Sequence, residues 1–176
     1  MSRARLISAL FVASLVTLNG AAPRVGAVSV PVISSQVTIS TGSTGSSTLS
    51  LEGVSCATAG NCTAVGSLTN ASNGSVAPVA VNESDGKWGD PIAISLPGAA
   101  VESGSLNGLL AVQCFSAGSC IAVGRFADSA LGTTTAMATA EVDGVWQMAV
   151  PITQPTNGNA DVSSWLTGLS CQSFDS

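Results

Sequence analysis

From position 51 onward, short apolar runs alternate with clusters of turn-forming residues. Four such runs lie in residues 51–95, and each is short enough to be a strand rather than a helix. The first, 51–56, leads into a tight connection at 57–61. The second, 62–68, runs into a polar Asn/Ser/Gly loop at 69–75. The third, 76–83, ends at Asp85-Gly86, and the fourth, 87–95, carries Trp88. An Asp-Gly pair between two β-runs predicts a two-residue hairpin turn of type I′, because both residues tolerate positive φ.

The pattern then recurs. Residues 51–88 align with 109–146 at an offset of 58 without a gap, and 15 of the 38 positions are identical. The identities include Leu51/Leu109, Cys56/Cys114, Cys62/Cys120, Gly66/Gly124, Glu83/Glu141 and Trp88/Trp146, with Asp143-Gly144 repeating the turn and 145–152 the last strand. A third copy opens at Leu166, where Leu-Thr-Gly-Leu-Ser-Cys171 repeats Leu51-Glu-Gly-Val-Ser-Cys56. Four antiparallel strands per unit, repeated in tandem, is the sequence signature of β-propeller blades. The expected fold is therefore all-β, an incomplete β-propeller of about two four-stranded antiparallel blades plus the start of a third. Blade repeats are expected at 49–106 and 107–163, with a truncated third at 164–176.

Composition fits that picture. Apolar residues make up 45% of the chain and charged residues only 9%. An ordinary soluble domain carries roughly 25% charged residues. Disordered chains are rich in charge and poor in Val, Ile and Leu, so disorder does not explain the deficit. Sheets covered on both faces do.

The amino terminus sets the compartment. Arg3 and Arg5 precede a 13-residue apolar stretch at 6–18, which is too short to span a bilayer comfortably and suits a signal peptide. Small residues at Val25-Gly26-Ala27 place cleavage after residue 27, giving a signal peptide at 1–27 and a secreted or cell-surface protein with no membrane span in the mature chain. Residues 28–48 are expected to form an N-terminal strand and a Ser/Thr/Gly-rich linker, because Pro31 and its neighbours resemble the fourth-strand segments around Pro91 and Pro151. After cleavage only Lys87 and Arg125 oppose ten acidic residues, a net charge of −8. Such a surface has no patch to neutralise phosphates, and nucleic acid is not an expected partner.

Five cysteines fall as Cys56-x5-Cys62, Cys114-x5-Cys120 and a solitary Cys171. In an exported chain, repeated pairs at one spacing read as disulfides across the first hairpin of each unit. Zinc is the rival reading; the x5 spacing is unusual for it and the chain contains no His.

Val54-Ser-Cys56 with Cys62-Thr-Ala-Val-Gly66, and Val112-Gln-Cys114 with Cys120-Ile-Ala-Val-Gly124, resemble the V-S-C-x5-C-x-A-V-G repeat of exported actinobacterial proteins. Those proteins are similar in layout to the Asp-box propellers, a group that includes sialidases. The resemblance covers about 49–176 and implies a blade fold with the Asp-Gly turns on an outer rim. Asp85-Gly86 and Asp143-Gly144 sit where an Asp-box would, but they lack the residue between Asp and Gly and the Thr before Trp. They are expected to be structural turn residues.

Chemistry is sparse. With no His and no Tyr, neither a Ser-His-Asp set nor a sialidase Tyr nucleophile can be assembled. Glu83 and Glu141 are candidate paired carboxylates, and their equivalent places beside a turn favour a structural surface role instead. Asn61, Asn70, Asn73 and Asn82 begin N-x-S/T sequons, read as Asn-rich loop composition. Trp88 and Trp146, as repeat residues, are expected to pack between blades rather than stack on sugars. The expectation is a non-enzymatic protein with no cofactor or metal, presenting loops to an extracellular protein or carbohydrate. The alternative is the N-terminal fragment of a sialidase-like, glycan-acting hydrolase with its catalytic residues in missing blades.

Overall fold

The computed structural model describes residues 47–98, 100, 106–153 and 162–173. The signal peptide expected at 1–27 and most of the strand and linker expected at 28–48 lie outside these. Every regular element among the described residues is a β-strand, and the strands form two antiparallel sheets.

The first sheet contains β1 (Thr48–Thr58), β2 (Asn61–Thr69), β3 (Val76–Ser84), β4 (Lys87–Trp88) and β5 (Ile92–Ala93). The second contains β6 (Gly108–Ser116), β7 (Ser119–Asp128), β8 (Thr133–Val142), β9 (Val145–Trp146) and β10 (Val150–Pro151). In each, the first three strands pair in sequence order and the last two short strands both pair with the third. The expected single fourth strand is therefore two pieces. Trp88 pairs with Glu83, but Ile92 pairs with Ala80, one residue out of step, and the second sheet repeats the slip between Trp146 and Val150. An extra residue in an edge strand is a bulge, and edges tolerate the missing N–H of a neighbouring Pro91 or Pro151.

A second bulge was not anticipated. Gly66 pairs with Leu51 and Val65 with Gly53, leaving Glu52 unmatched; Leu110 is unmatched in the second sheet. Gly66 and Gly124 sit opposite these kinks. A Cβ on Gly66 would overlap the Ser50 carbonyl oxygen, and one on Gly124 the Gly108 carbonyl oxygen. That accounts for the repeated A-V-G: the strand backbone needs the space a side chain would fill.

The sheets pack face to face, and β1 and β6 belong to different sheets. The core between them comprises Val65, Ala80 and Ile94 from the first sheet against Leu109, Ala122, Phe126, Met137 and Ala149 from the second. Contacts link near-equivalent positions of consecutive repeats. The Cys114 amide donates to Ser55 Oγ at 3.0 Å, and the Ala149 amide to the Ser95 carbonyl at 2.9 Å. The third repeat's opening segment follows suit: the Cys171 amide donates to Gln113 Oε1 at 2.7 Å, and the Leu166 amide approaches the Gly124 carbonyl at 3.4 Å. At both junctions the side chain before one repeat's first Cys thus accepts from the amide of the next repeat's first Cys.

Candidate functional site

Each sheet has two ends. At one, the β1–β2 and β3–β4 turns meet. Asp85 and Asp143 both have φ 51°, and Gly86 and Gly144 have φ 76° and 79°, the type I′ geometry the Asp-Gly pairs predict. The Gly86 and Gly144 amides each donate at 2.9 Å to the carbonyl of Gly60 or Gly118 in the adjoining turn. Just inside these turns, Cys56–Cys62 and Cys114–Cys120 are disulfide-bonded, with Cα separations of 3.9 and 4.0 Å across registered strand pairs. Cys171 is free.

At the other end lie the β2–β3 and β7–β8 loops. Their sequences differ, yet their backbone frames match. Asn70 and Asp128 each accept, through the main-chain carbonyl, from the amide of Gly74 or Gly132. Their side chains cap the turn as well, Asn70 Oδ1 accepting from the Ser72 amide and Asp128 Oδ1 from the Ala130 amide. These are Asx-type turns. The exposed tips differ, Ala71-Ser72-Asn73 against Ser129-Ala130-Leu131, and so do flanking residues such as Thr69 against Ala127. Asn107, buried just before β6, ties the loop bases together: its Nδ2 donates to the Val76 carbonyl at 3.0 Å and its Oδ1 accepts from the Ala127 amide at 2.8 Å.

Glu83 and Glu141 do not form a pair. Glu141 is fully buried, not at the surface as expected, because β8 carries it on the face that meets the first sheet. Asn82 Nδ2 donates to Glu141 Oε1 at 2.5 Å, while Asn82 Oδ1 accepts from the Thr63 hydroxyl at 3.1 Å. Thr63 Oγ1 is also 3.5 Å from Cys120 Sγ. Among the described residues Glu141 Oε2 has no hydrogen-bond partner. Burial pushes the Glu141 carboxyl above the usual carboxylate range, against the weaker opposing pull of the Asn82 hydrogen bond. A polar cavity of about 220 Å³ adjoins it, lined among others by Asn61, Thr63, Asn82, Ser116 and Glu141. Asn61 and Asn82 are strand residues, so two of the four sequons are not loop features.

Trp146 packs against the inter-sheet core, whereas Trp88 lines an open apolar groove of about 480 Å³ with Leu49, Leu51, Val54, Ala64 and Val81. Trp165 is half exposed, with the Arg125 guanidinium 5.7 Å from its ring centre. Among the described residues no group of three or more His, Cys, Asp or Glu side chains could hold a metal ion, and no helix is long and apolar enough to cross a membrane.

The class these features define is an all-β repeat built from disulfide-stapled antiparallel sheets stacked face to face. No family model, curated protein or solved structure matches the chain.

Proposed function

We propose that the chain is an exported, non-enzymatic repeat protein whose sheets stack as β-propeller blades and whose loops at one end bind an extracellular protein or carbohydrate. The observation that carries this reading is the pair of matched loop frames with unmatched tips. A rigid scaffold that repeats its backbone while varying its exposed side chains is how recognition loops are commonly built. The face-to-face stacking of consecutive repeats supports the blade arrangement. Two disulfides are compatible with an oxidising, extracellular setting.

The test is to exchange residues 71–73 for 129–131 and the reverse, and to probe the variants with a glycan array and with biotinylated cell-surface proteins. Wild-type binding should be lost or redirected while thermal unfolding stays unchanged. Binding that survives both exchanges, or turnover of an arrayed glycan, would remove the proposal.

A further inference from the structure

Between the two sheets, the Glu141 carboxyl is shut away from solvent and has, among the described residues, a single hydrogen-bond donor, Asn82. The charged or titratable side chains on the surrounding elements are Glu83 on β3, Asp85 and Asp143 in the turns, Lys87 on β4, and Arg125 and Asp128 on β7. Of these only Glu83 lines the adjoining cavity, and it is another acid. Arg125, on β7, stacks on Trp165 instead. Among the described residues an ionised Glu141 therefore has no counter-charge, and its Oε2 has no donor. A buried neutral carboxyl with one unpaired oxygen costs far less than a buried unpaired charge.

We propose that Glu141 is a proton-operated joint between consecutive repeats: protonated, it seats against Asn82 and the sheets close; deprotonated, it draws toward water and the joint loosens. The proton leaves to solvent through the adjoining cavity. Thr63 is a positioning residue in this scheme, since its hydroxyl occupies Asn82 Oδ1 and so turns Nδ2 toward Glu141. The joint is specific to this junction. On the second sheet, Ile121 and Ala140 stand where Thr63 and Asn82 stand on the first, so the next junction lacks it.

The sign of the effect follows from the geometry. Burial favours the protonated form in the folded state, so the joint's contribution is complete below the unfolded carboxyl's range near pH 4. It is lost as pH rises through the higher folded value. The experiment uses the full chain and records melting temperature between pH 4.5 and 8.5, together with hydrogen exchange of peptides spanning 76–84 and 133–142. Relative to Glu141→Gln, which mimics the protonated form, the wild type should lose at least about 3 °C on going from pH 5 to 8. Exchange in both peptides should speed up over the same range. Asn82→Asp, which adds a second carboxyl, should steepen the wild-type loss, and Glu83→Gln should leave it unchanged. Parallel profiles for wild type and Glu141→Gln would overturn the proposal. So would a wild type that gains stability over Glu141→Gln as pH rises. If Glu141→Gln fails to fold, the Asn82→Asp and exchange measurements decide in the same directions.

Discussion

Leu51 and Leu109 are the same residue at the same place in two repeats, yet Leu51 is 48% exposed and Leu109 is 0% exposed. The contrast is confined to the first strand of each repeat, since Ala64, Val79 and Val81 on the same face are as buried as Ala122, Met137 and Thr139. Val54 is 64% exposed, whereas Val112 packs against the core; Trp88 and Trp146 are both half-buried, the one at an open groove and the other against the core. What differs is the neighbour, because the inner face of the first sheet lies on the second, and the groove side of the first has no described sheet against it. Where a neighbouring sheet lies against the first strand of a repeat its apolar side chains are covered, and where none does Leu51 and Val54 stay in water. Stability in such a stack resides in the junctions between repeats as much as within them.

The sharpest way to break the comparison is to truncate both leucines. Leu109→Ala should cost about 3 kcal/mol, since it removes a fully buried side chain from a packed junction. Leu51→Ala should cost less than about 1 kcal/mol, because half of that side chain is already in water. Urea unfolding of the two variants measures both. Equal losses would mean that the groove is filled in solution and that the two faces are equivalent after all.

The disulfides should narrow the difference. Each closes a loop of the same size, and the chain-entropy model gives about 2 kcal/mol for either. Replacing Cys114 and Cys120 together by Ala should cost somewhat more than replacing Cys56 and Cys62, because Cys120 is 1% exposed and touches Thr63 across the junction. Peptide mapping without reduction should find only the two within-hairpin links, and a Cys56–Cys114 link would contradict the register of both hairpins.

Much of this was legible because the repeat writes it twice. Strands β1 to β3 and β6 to β8, the pairing of the cysteines and the Asp-Gly turns all follow from residues that recur at an offset of 58. The broken fourth strand was not, since a one-residue slip leaves the apolar pattern of 87–95 intact. The kink opposite Gly66 was only half visible: the glycine recurs, but its reason is a carbonyl from a strand 15 or more residues away. The Asn82–Glu141 joint was hidden by the same repetition that revealed the fold. Treating Glu83 and Glu141 as equivalent assigned them one environment, when only Glu141 faces another described sheet. Residues that differ between repeats, such as Asn82 against Ala140, are where a junction is made individual.

At the Asp-Gly turns the two regions should stop differing. Asp85 and Asp143 share φ 51°, are exposed, and lead into glycines whose amides make the same 2.9 Å bond to the neighbouring turn. The glycine bond at each turn is made within its own sheet. Asp→Asn keeps both the tolerance for positive φ and the short polar side chain, and should change stability by less than about 0.5 kcal/mol at either site. Asp→Val forces a β-branched residue into the left-handed region and should cost about 1–2 kcal/mol, again equally at 85 and 143. Thermal unfolding of the four single variants tests this directly. A Val substitution that is harmless at one turn and costly at the other would show that the turns, too, depend on what lies beside the sheet. The division between repeated scaffold and individual junction would then have to be redrawn to include them.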